Sequence, residues 1–346
     1  MNINITSSDE KSDDNPMLEI PGFTFRNFQG ETDYSIIFSI LIESDQADQV
    51  SGTPSLNDIM RWCSPSNHCD PTRDILFVLR KTTHEALTEV GFSHVSWYTA
   101  PKNVRLYDQS SFLIPGCRER RLFSAMLRRN EHRLREIAIG HPSTLQRYYQ
   151  GWATHTQVIW IDVLMREGYQ AVRHFNNMLF QLNDIPNRTL PTGFTIRPVQ
   201  SEHFRSIWEA QREVVLSLFE AVEEDWTEDK YESWLNNPSH TPQLWQVAWD
   251  GDQVAGMVLN RINPAENKEL IRKRGYTEHI FVRQPWRKRG LASALIAQSL
   301  QVLKEQGMEE AELGVDTENE SGAYEFYQRM GYQTFSTDIW FRKPMD

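Results

Sequence analysis

The alternation of apolar and polar residues predicts a series of short strands in the second half of the chain. In residues 311–315, Ala311, Leu313 and Val315 fall on one side, which is the two-residue period of a half-buried strand. Asp250-Gly251 stands between two such segments and is typical of a hairpin turn. The predicted strands cover residues 194–197, 246–249, 254–259, 278–282, 311–315 and 334–341.

Three helical patterns alternate with these strands, over residues 202–218, 289–306 and 321–330. In residues 289–306 the apolar positions recur at steps of three and four, which places them on one buried face. Gly331 follows the third pattern, as expected for a helix that ends in a left-handed residue. The fold class that these elements predict is mixed α/β.

The chain also repeats itself. Residues 22–26 read GFTFR and recur as GFTIR in residues 193–197, and residues 166–170 read REGYQ and recur as RMGYQ in residues 329–333. The two pairs keep the same order, and their offsets are 171 and 163 residues. Two echoes at nearly one offset indicate two copies of one fold.

A polar segment with two prolines separates the copies, and proline cannot continue a helix or a central strand. A chain of 346 residues is also too long for one ordinary hydrophobic core. The predicted division is a disordered N-terminal arm over residues 1–17, a first copy over 18–185, a linker over 186–192 and a second copy over 193–346.

Composition narrows the class of function. The formal net charge of −11 argues against a nucleic-acid partner, because such binding depends on basic residues. No segment reaches the roughly 18–20 uninterrupted apolar residues that a membrane span requires. Three cysteines form no disulfide framework and suit a reducing compartment. We therefore expect a cytoplasmic protein that has neither a nucleic-acid nor a membrane partner.

The segment that carries chemistry is RKRGLA, residues 287–292, between the strand at 278–282 and the long helix. The N-terminus of a helix exposes unpaired amides and the positive end of the helix dipole, which suit a phosphate group. Gly290 allows close approach of a ligand to the backbone, and Ala292 keeps the first turn slim. The spacing alone occurs in many chains, and its context is what makes it specific.

That context is Asn319, Ala323, Tyr327 and Gly331, spaced at four-residue steps downstream of the loop. The combination resembles the GNAT superfamily of N-acetyltransferases, over most of residues 193–346. The resemblance implies two tandem GNAT-like domains, each with a mostly antiparallel central sheet flanked by helices. It further implies direct transfer of an acetyl group from acetyl-CoA to an amine, without a metal.

The resemblance also implies roles for individual residues. The loop would cradle the pyrophosphate of CoA, the preceding strand would pair its backbone with the pantetheine arm, and Asn319 would contact the cofactor. Tyr327 would protonate the departing thiolate, although a tyrosine of the core is the alternative. The implied cofactor-binding residues are Ile280, Phe281, Val282, Arg287, Lys288, Arg289, Gly290, Leu291, Ala292 and Asn319.

Transfer to an amine needs a proton acceptor, because an aliphatic amine with a pKa of ~10 is protonated at neutral pH. Glu278 is the predicted base, acting through water; an ordinary surface glutamate is the alternative, and His279 is a weaker candidate. The acidic segment around residues 220–232 is either a solvated helix surface or part of the acceptor site. In the second case Glu223, Glu224, Asp225 and Trp226 would bind a cationic acceptor.

The first copy lacks the features that the second copy retains. Aligning the copies at their closing glycines places Leu164 at the position of Tyr327. In the loop, Arg121 takes the place of Gly290, and Phe123 takes the place of the alanine that follows it. Leucine cannot donate a proton, and bulky residues would block the backbone cradle. We therefore expect a degenerate GNAT domain with a structural or substrate-shaping role.

Three functions stay open at this point. The first is an N-acetyltransferase acting on the primary amine of a small molecule, including cationic ones. The second is acetylation of a protein N-terminus or lysine, and the third is a CoA-responsive binding module without turnover. The sequence is compatible with a monomer or a homodimer.

Overall fold

The structure is a computed structural model that describes residues 20–50, 54–62, 64, 67–81, 86–100, 103–142, 144–218, 226–318 and 322–345. The strands of these residues are β1 Phe23–Asn27, β2 Ile75–Lys81, β3 Leu87–Ala100, β4 Val104–Leu113, β5 Gln146–Thr154, β6 Gln170–Gln181, β7 Thr195–Ile196, β8 Gln246–Asp250, β9 Gln253–Ile262, β10 Arg274–Val282, β11 Glu310–Asp316 and β12 Gln333–Pro344. Their α-helices are α1 Thr32–Asp48, α2 Leu56–Trp62, α3 Pro71–Asp74, α4 Arg120–Ile139, α5 Val158–Arg166, α6 Phe204–Leu218, α7 Glu228–Leu235, α8 Pro264–Glu269, α9 Leu291–Glu305 and α10 Ala323–Met330.

All the strands named above belong to one mixed sheet, in the order β1-β2-β3-β4-β5-β12-β6-β11-β10-β9-β8-β7. Two neighbouring pairs, β4 with β5 and β10 with β11, are parallel, and the other pairs are antiparallel. Helices flank the sheet, so the predicted mixed α/β class is confirmed.

The two copies exchange their last strands. β6 closes the first copy in sequence, but it pairs with β11 of the second copy. β12 closes the second copy, but it pairs with β5 of the first. The two exchanged strands also pair with each other at the centre of the sheet. Residues 185–194 contain no helix or strand, and the sheet runs through both copies.

The exchanged strands also supply side chains to the hydrophobic core of the other copy. Phe341 of β12 and Met345 pack into the core of the first copy. Met178 and Phe180 of β6 pack into the core of the second. A Cβ atom added at Gly331 would lie 2.9 Å from the ring of Phe180, so that glycine makes room for the other copy's strand. Each copy therefore depends on the other for part of its buried surface.

Most predicted elements are confirmed, and the clearest difference concerns the start of β10. The sequence predicts this strand from residue 278, whereas it begins at Arg274. The early residues read as polar, because Arg274 is buried in an ion pair with Glu312, 2.7 Å from Nη1, and with Glu310. A charge that is paired inside the sheet has no apolar signature in the sequence.

None of the helices in the described ranges combines the length and the apolar character that crossing a membrane would require.

Candidate functional site

The parallel strands β10 and β11 pair at one end and then separate. Their paired residues are Arg274–Tyr276 on β10 and Glu310–Glu312 on β11. Just beyond, the hydroxyl of Thr277 donates to the carbonyl of Glu312 at 3.2 Å and lies 3.3 Å from the hydroxyl of Tyr332. On its β11-facing edge the remainder of β10, residues 278–282, has no strand partner among the described residues. We call the point where the strands part the vertex.

A bulge interrupts β10 on its other side. Glu278 pairs with Leu259 and Phe281 with Met257, so β10 advances three residues while β9 advances two. His279, in the bulge, has a φ of 48°. A bulge bends the strand and redirects its side chains. Both Glu278 and His279 consequently line one cavity.

The loop after β10 presents the N-terminus of α9. Gly290 caps the helix with a φ of 83°, and Lys288 also has a positive φ, of 60°. A Cβ atom at Gly290 would meet no atom within 4 Å, so the backbone conformation, not crowding, requires the glycine there. The first amides of a helix have no intrahelical acceptor, so those of α9 can donate to a ligand.

Two side-chain contacts hold this loop in place. Trp286 donates from Nε1 to the carboxylate of Asp250 at 2.8 Å. Arg287 donates from Nε to the carbonyl of Val282 at 2.9 Å. The cationic side chains of the loop are exposed beside the helix N-terminus. The loop can therefore offer amides, a helix dipole and positive charge to one phosphate group.

Tyr327 lies on α10 next to the vertex. Its side chain is 8% exposed, and its ring centroid is 6.0 Å from that of Tyr332, which meets Thr277. Burial raises the pKa of Tyr327 to about 12, so its hydroxyl keeps the proton at neutral pH. Within the described residues no hydrogen bond to that hydroxyl is found, which leaves it available to donate. Asn319 lies outside the described residues.

A cavity of about 550 Å³, which we call the bulge pocket, opens at the bulge of β10. Its walls come from both copies. The second copy contributes Glu278, His279, His240 and Arg261, among others, and the first copy contributes Asp58, Arg61 and Trp62. Of this set, sequence reasoning identified only Glu278 and His279, since no pattern in the chain connects α2 with β10.

At the bulge itself the pocket is lined by the carboxylate of Glu278 and by two neutral imidazoles. Glu278 accepts hydrogen bonds from Nη2 and Nε of Arg261, at 2.9 and 3.1 Å. Surrounding protein lowers the pKa of His279 and that of His240, so both rings are uncharged at neutral pH. The amide nitrogen of Gln211 lies 2.9 Å from Nδ1 of His279. A neutral imidazole and a carboxylate can each accept a proton.

Of the four residues predicted to bind a cationic acceptor, Glu223, Glu224 and Asp225 lie outside the described residues. The fourth, Trp226, contacts Trp208 with ring centroids 4.5 Å apart. Both rings line a cavity of about 400 Å³ whose wall includes Arg61 and Asn237. These two residues also line the bulge pocket, so Trp226 lies beside that pocket, not in it.

The corresponding region of the first copy is filled. Phe123 and Trp160 pack with ring centroids 5.3 Å apart, and Leu164 is fully buried. They stand beside a cavity of about 70 Å³ where β4 and β5 separate. Arg121 is exposed in the first turn of α4. Among the described residues, no group of histidine, cysteine, aspartate and glutamate side chains could hold a metal ion.

Comparison with known proteins gives matches to both the second copy and the whole fold. Residues 204–332 match the Acetyltransferase (GNAT) family. Over 234 residues the chain is 24% identical to the mycothiol acetyltransferase of Geodermatophilus obscurus, a match that covers 66% of this chain and 71% of that protein.

Two solved structures are similar over almost the whole chain. A GCN5-related N-acetyltransferase from Sphaerobacter thermophilus has a TM-score of 0.69 at 21% identity, covering 94% of this chain and 96% of that one. A tandem GNAT protein from the clavulanic acid biosynthesis pathway has a TM-score of 0.60 at 13% identity, covering 94% of this chain and 100% of that one. At these identities the likeness shows the fold alone.

Proposed function

We propose that this chain transfers an acetyl group from acetyl-CoA directly to the primary amine of a small molecule. Residues 204–332 belong to the GNAT acetyltransferase family, and the chain is thus an acyltransferase. Acetyl-CoA supplies the activated acyl group as a thioester. The residues of this chain would bind it, hold the amine and move two protons.

The loop at residues 287–292 fits a pyrophosphate. Gly290 caps α9 in a left-handed conformation with open space beside it, and Arg287, Lys288 and Arg289 place positive charge around the first amides of the helix. Leu291 anchors the helix by burying its side chain, and Ala292 adds little bulk. We assign these residues to the diphosphate of CoA.

The open edge of β10 fits an extended pantetheine arm. Ile280, Phe281 and Val282 lie beyond the last pair with β11, so their backbone groups on that side have no strand partner within the described residues. A ligand that pairs with this edge leads toward the vertex, where Tyr327 holds a proton that burial retains. We assign Tyr327 the protonation of the departing thiolate.

The bulge pocket fits the acceptor amine, because it adjoins the strand that would hold the thioester. We propose Glu278 as the proton acceptor, acting through water. Arg261 holds its carboxylate in place through an ion pair at 2.9 Å. His279 is a second candidate, since it is solvent-accessible in the pocket and uncharged at neutral pH.

The charges of the bulge pocket are compatible with a cationic acceptor. Carboxylates of Asp58, Glu266 and Glu278 line it together with Arg61 and Arg261. The proposed contribution of Glu223, Glu224, Asp225 and Trp226 remains a prediction. Replacing the three acids by amides should raise KM for a cationic amine and leave that for acetyl-CoA unchanged; equal KM values would contradict it.

We further propose that the first copy binds no CoA and instead shapes the acceptor site. The packing of Phe123 against Trp160 supports this, because little space remains where β4 and β5 separate. α2 of the same copy supplies a wall of the bulge pocket through Arg61 and Trp62.

The observation that carries the proposal is a buried tyrosine hydroxyl that has no hydrogen-bond partner among the described residues and lies beside the vertex of two separating parallel strands. The test measures thiol release from acetyl-CoA across a panel of small amines and short peptides, together with calorimetry of CoA binding. Release with small amines supports the proposal. Release with peptides alone would indicate a protein acetyltransferase, and CoA binding without any release would indicate a binding module.

A further inference from the structure

The largest cavity described, of about 1030 Å³, lies over the first copy and takes no part in the function proposed above. We call it the first-copy chamber. Its floor is the face of four neighbouring strands, β3, β4, β5 and β12. Its other walls include Trp62 and His68, from α2 and the segment after it, and Lys230 from α7. Ligand pockets commonly have volumes of about 300–1000 Å³, so the chamber can hold a metabolite.

The pairing of the strands gives the floor a simple layout. Trp152 of β5 lies directly opposite Trp340 of β12 and forms the middle row. Asp338 is two residues before Trp340 on β12 and lies in the next row on the same face, because every second residue of a strand faces the same side. Asp108 lies one row to the other side, opposite Gln150 of β5. The floor is therefore an aromatic pair with one carboxylate toward each end.

The separation of the two carboxylates follows from strand geometry. Asp108 and Asp338 are four residues apart along the strands and two strands apart across the sheet. A rise of about 3.4 Å per residue and a spacing of about 4.8 Å between strands place their Cα atoms about 16 Å apart. One ammonium group cannot reach both, whereas a ligand with two ammonium groups can.

The hydrogen bonds described for both carboxylates come from neutral donors. Asp338 accepts hydrogen bonds from the hydroxyl of Thr154 at 2.6 Å and the amide of Asn177 at 2.8 Å, both neutral donors. Asp108 accepts one from the amide of Gln150 at 3.3 Å. Neither forms an ion pair with any residue that the structure describes. Both carboxylates are partly buried, and a bound cation would supply an ion-pair partner that the described residues do not provide.

The raised pKa of Asp108 agrees with the lack of an ion pair at this carboxylate. Burial raises the pKa of Asp108 to about 7, although Arg342 and the hydrogen bond from Gln150 act in the opposite direction. Burial therefore outweighs the positive charge nearby. The imidazoles of the chamber would not repel a cation, because burial lowers the pKa of His94 to about 4 and also lowers that of His68.

The middle row suits an alkyl chain. Trp152 and Trp340 offer apolar surface between the carboxylates, and aromatic faces also attract ammonium groups. Trp97, which lines the chamber as well, is already covered by the guanidinium of Arg105 at 4.4 Å and by the ring of His68 at 3.9 Å. Lys230 is the one lysine or arginine among the described lining residues, and it is exposed.

We propose that the first-copy chamber binds a linear aliphatic diammonium ion, with one ammonium group at Asp108, the other at Asp338, and the alkyl chain across Trp152 and Trp340. Since each ammonium nitrogen stands about 3 Å inside its carboxylate, the two nitrogens are about 10–12 Å apart. That separation matches an extended chain of about eight methylene groups.

Calorimetry with the full chain, in the absence of acyl-CoA, tests the proposal. The probe is 1,8-diaminooctane, its monocationic control is 1-aminooctane, and its short control is 1,3-diaminopropane. All their amines are protonated at pH 7.5. We expect the eight-carbon diamine to bind at least tenfold more tightly than either control. Equal affinity for 1-aminooctane would overturn the proposal.

Two substitutions locate the site. Asp338→Asn and Asp108→Asn should each weaken diamine binding at least tenfold. Asp252→Asn, in the exposed β8–β9 turn, is the matched control and should not change it. A cooperative melting transition at a temperature no lower than that of the parent protein shows that a variant is folded. If one variant fails to fold, the other tests the site. Diamine binding that survives both substitutions, or that Glu278→Gln removes instead, would overturn the assignment to this chamber. Because no acyl-CoA is present, the outcome is independent of the acetyl transfer.

Discussion

Trp340 lies directly opposite Trp152 on the neighbouring strand, although the two residues belong to different copies of the repeated sequence. This pairing exists because β12 of the second copy lies beside β5 of the first. In the same way, β6 of the first copy lies beside β11 of the second. Each copy thus contributes a strand that is inside the other. The two copies are joined through the sheet as well as through the linker.

A cut in the linker should therefore not separate the copies. With a protease site inserted in residues 186–192, where the chain has no helix or strand, we expect both fragments to elute together after cleavage. They should part only when denaturant unfolds the sheet. Size-exclusion chromatography of the cleaved protein measures this, and two separate native fragments would contradict the exchange.

Tyr327→Phe should lower kcat by about 10²–10⁴-fold, because the variant cannot protonate the thiolate. KM for acetyl-CoA should stay within about twofold, since the ring remains buried. Tyr324→Phe, on the same helix but with its hydroxyl 3.3 Å from Thr334 at the surface, is the matched control and should retain activity. Steady-state kinetics of the two variants decide it; equal rates would remove Tyr327 from the mechanism.

Gly290→Glu should abolish CoA binding, because it puts a negative side chain where the diphosphate is proposed to lie. Gly307→Glu is its control at the opposite end of α9, where the glycine has a similar φ, 80° against 83°, and similarly open space. Both changes strain the backbone alike, so a difference in calorimetric CoA affinity reports on the cradle. If the two variants bind CoA equally well, the cradle lies elsewhere.

Glu278→Gln should lower kcat/KM at least tenfold without a change in KM for acetyl-CoA, because the amide cannot accept a proton. His279→Asn serves as the comparison. Burial lowers the pKa of His279 below its ordinary value, so its ring stays neutral at neutral pH and any fall in activity that depends on its protonation appears only on the acidic side. A larger loss in His279→Asn, with the acidic limb removed, would assign the base to His279.

Asp108→Asn should stabilise the protein more at pH 8 than at pH 5. The folded pKa of about 7 exceeds the unfolded value of about 3.9, so the folded protein holds a proton that the unfolded chain has released. Stability from this group is consequently present below pH 4 and is lost as pH rises to 7. Tyr98 and Arg342, which also act near Asp108, are left unchanged by the substitution.

Denaturant unfolding of the parent and the variant at several pH values gives the measurement. The free energy of unfolding of the variant, relative to that of the parent, should grow by about 1–3 kcal/mol between pH 5 and pH 8, allowing for partial exposure of the carboxyl. A difference that is constant with pH would show that Asp108 titrates normally.

The local elements could be predicted from the sequence, because each follows from its own residues. The hairpin at Asp250-Gly251 and the helix after Gly290 are examples, since a turn and a helix start require particular residue types. The partners of the strands could not be predicted. The pattern of β12 shows which face is buried, but the same face would fit beside β11 or β5.

The candidate site could likewise be predicted from the sequence only in part. The loop at residues 287–292 and Tyr327 are contiguous with recognisable motifs. The first-copy wall of the bulge pocket is not, because Arg61 reaches it only through the packing of the two copies. The pairing of Arg261 with Glu278 was also missed, since the two residues meet across β9 and β10 and not along the chain.

The position of Phe180 has a consequence for whether one of the two copies can be lost in evolution. Phe180 belongs to the first copy, yet its ring packs on Gly331 and on Tyr332, at the end of the helix that carries Tyr327. Its strand also pairs with β11, so deletion of the first copy would remove a strand and core side chains from the second. The duplication therefore cannot be reversed by losing one half without reshaping the half that stays.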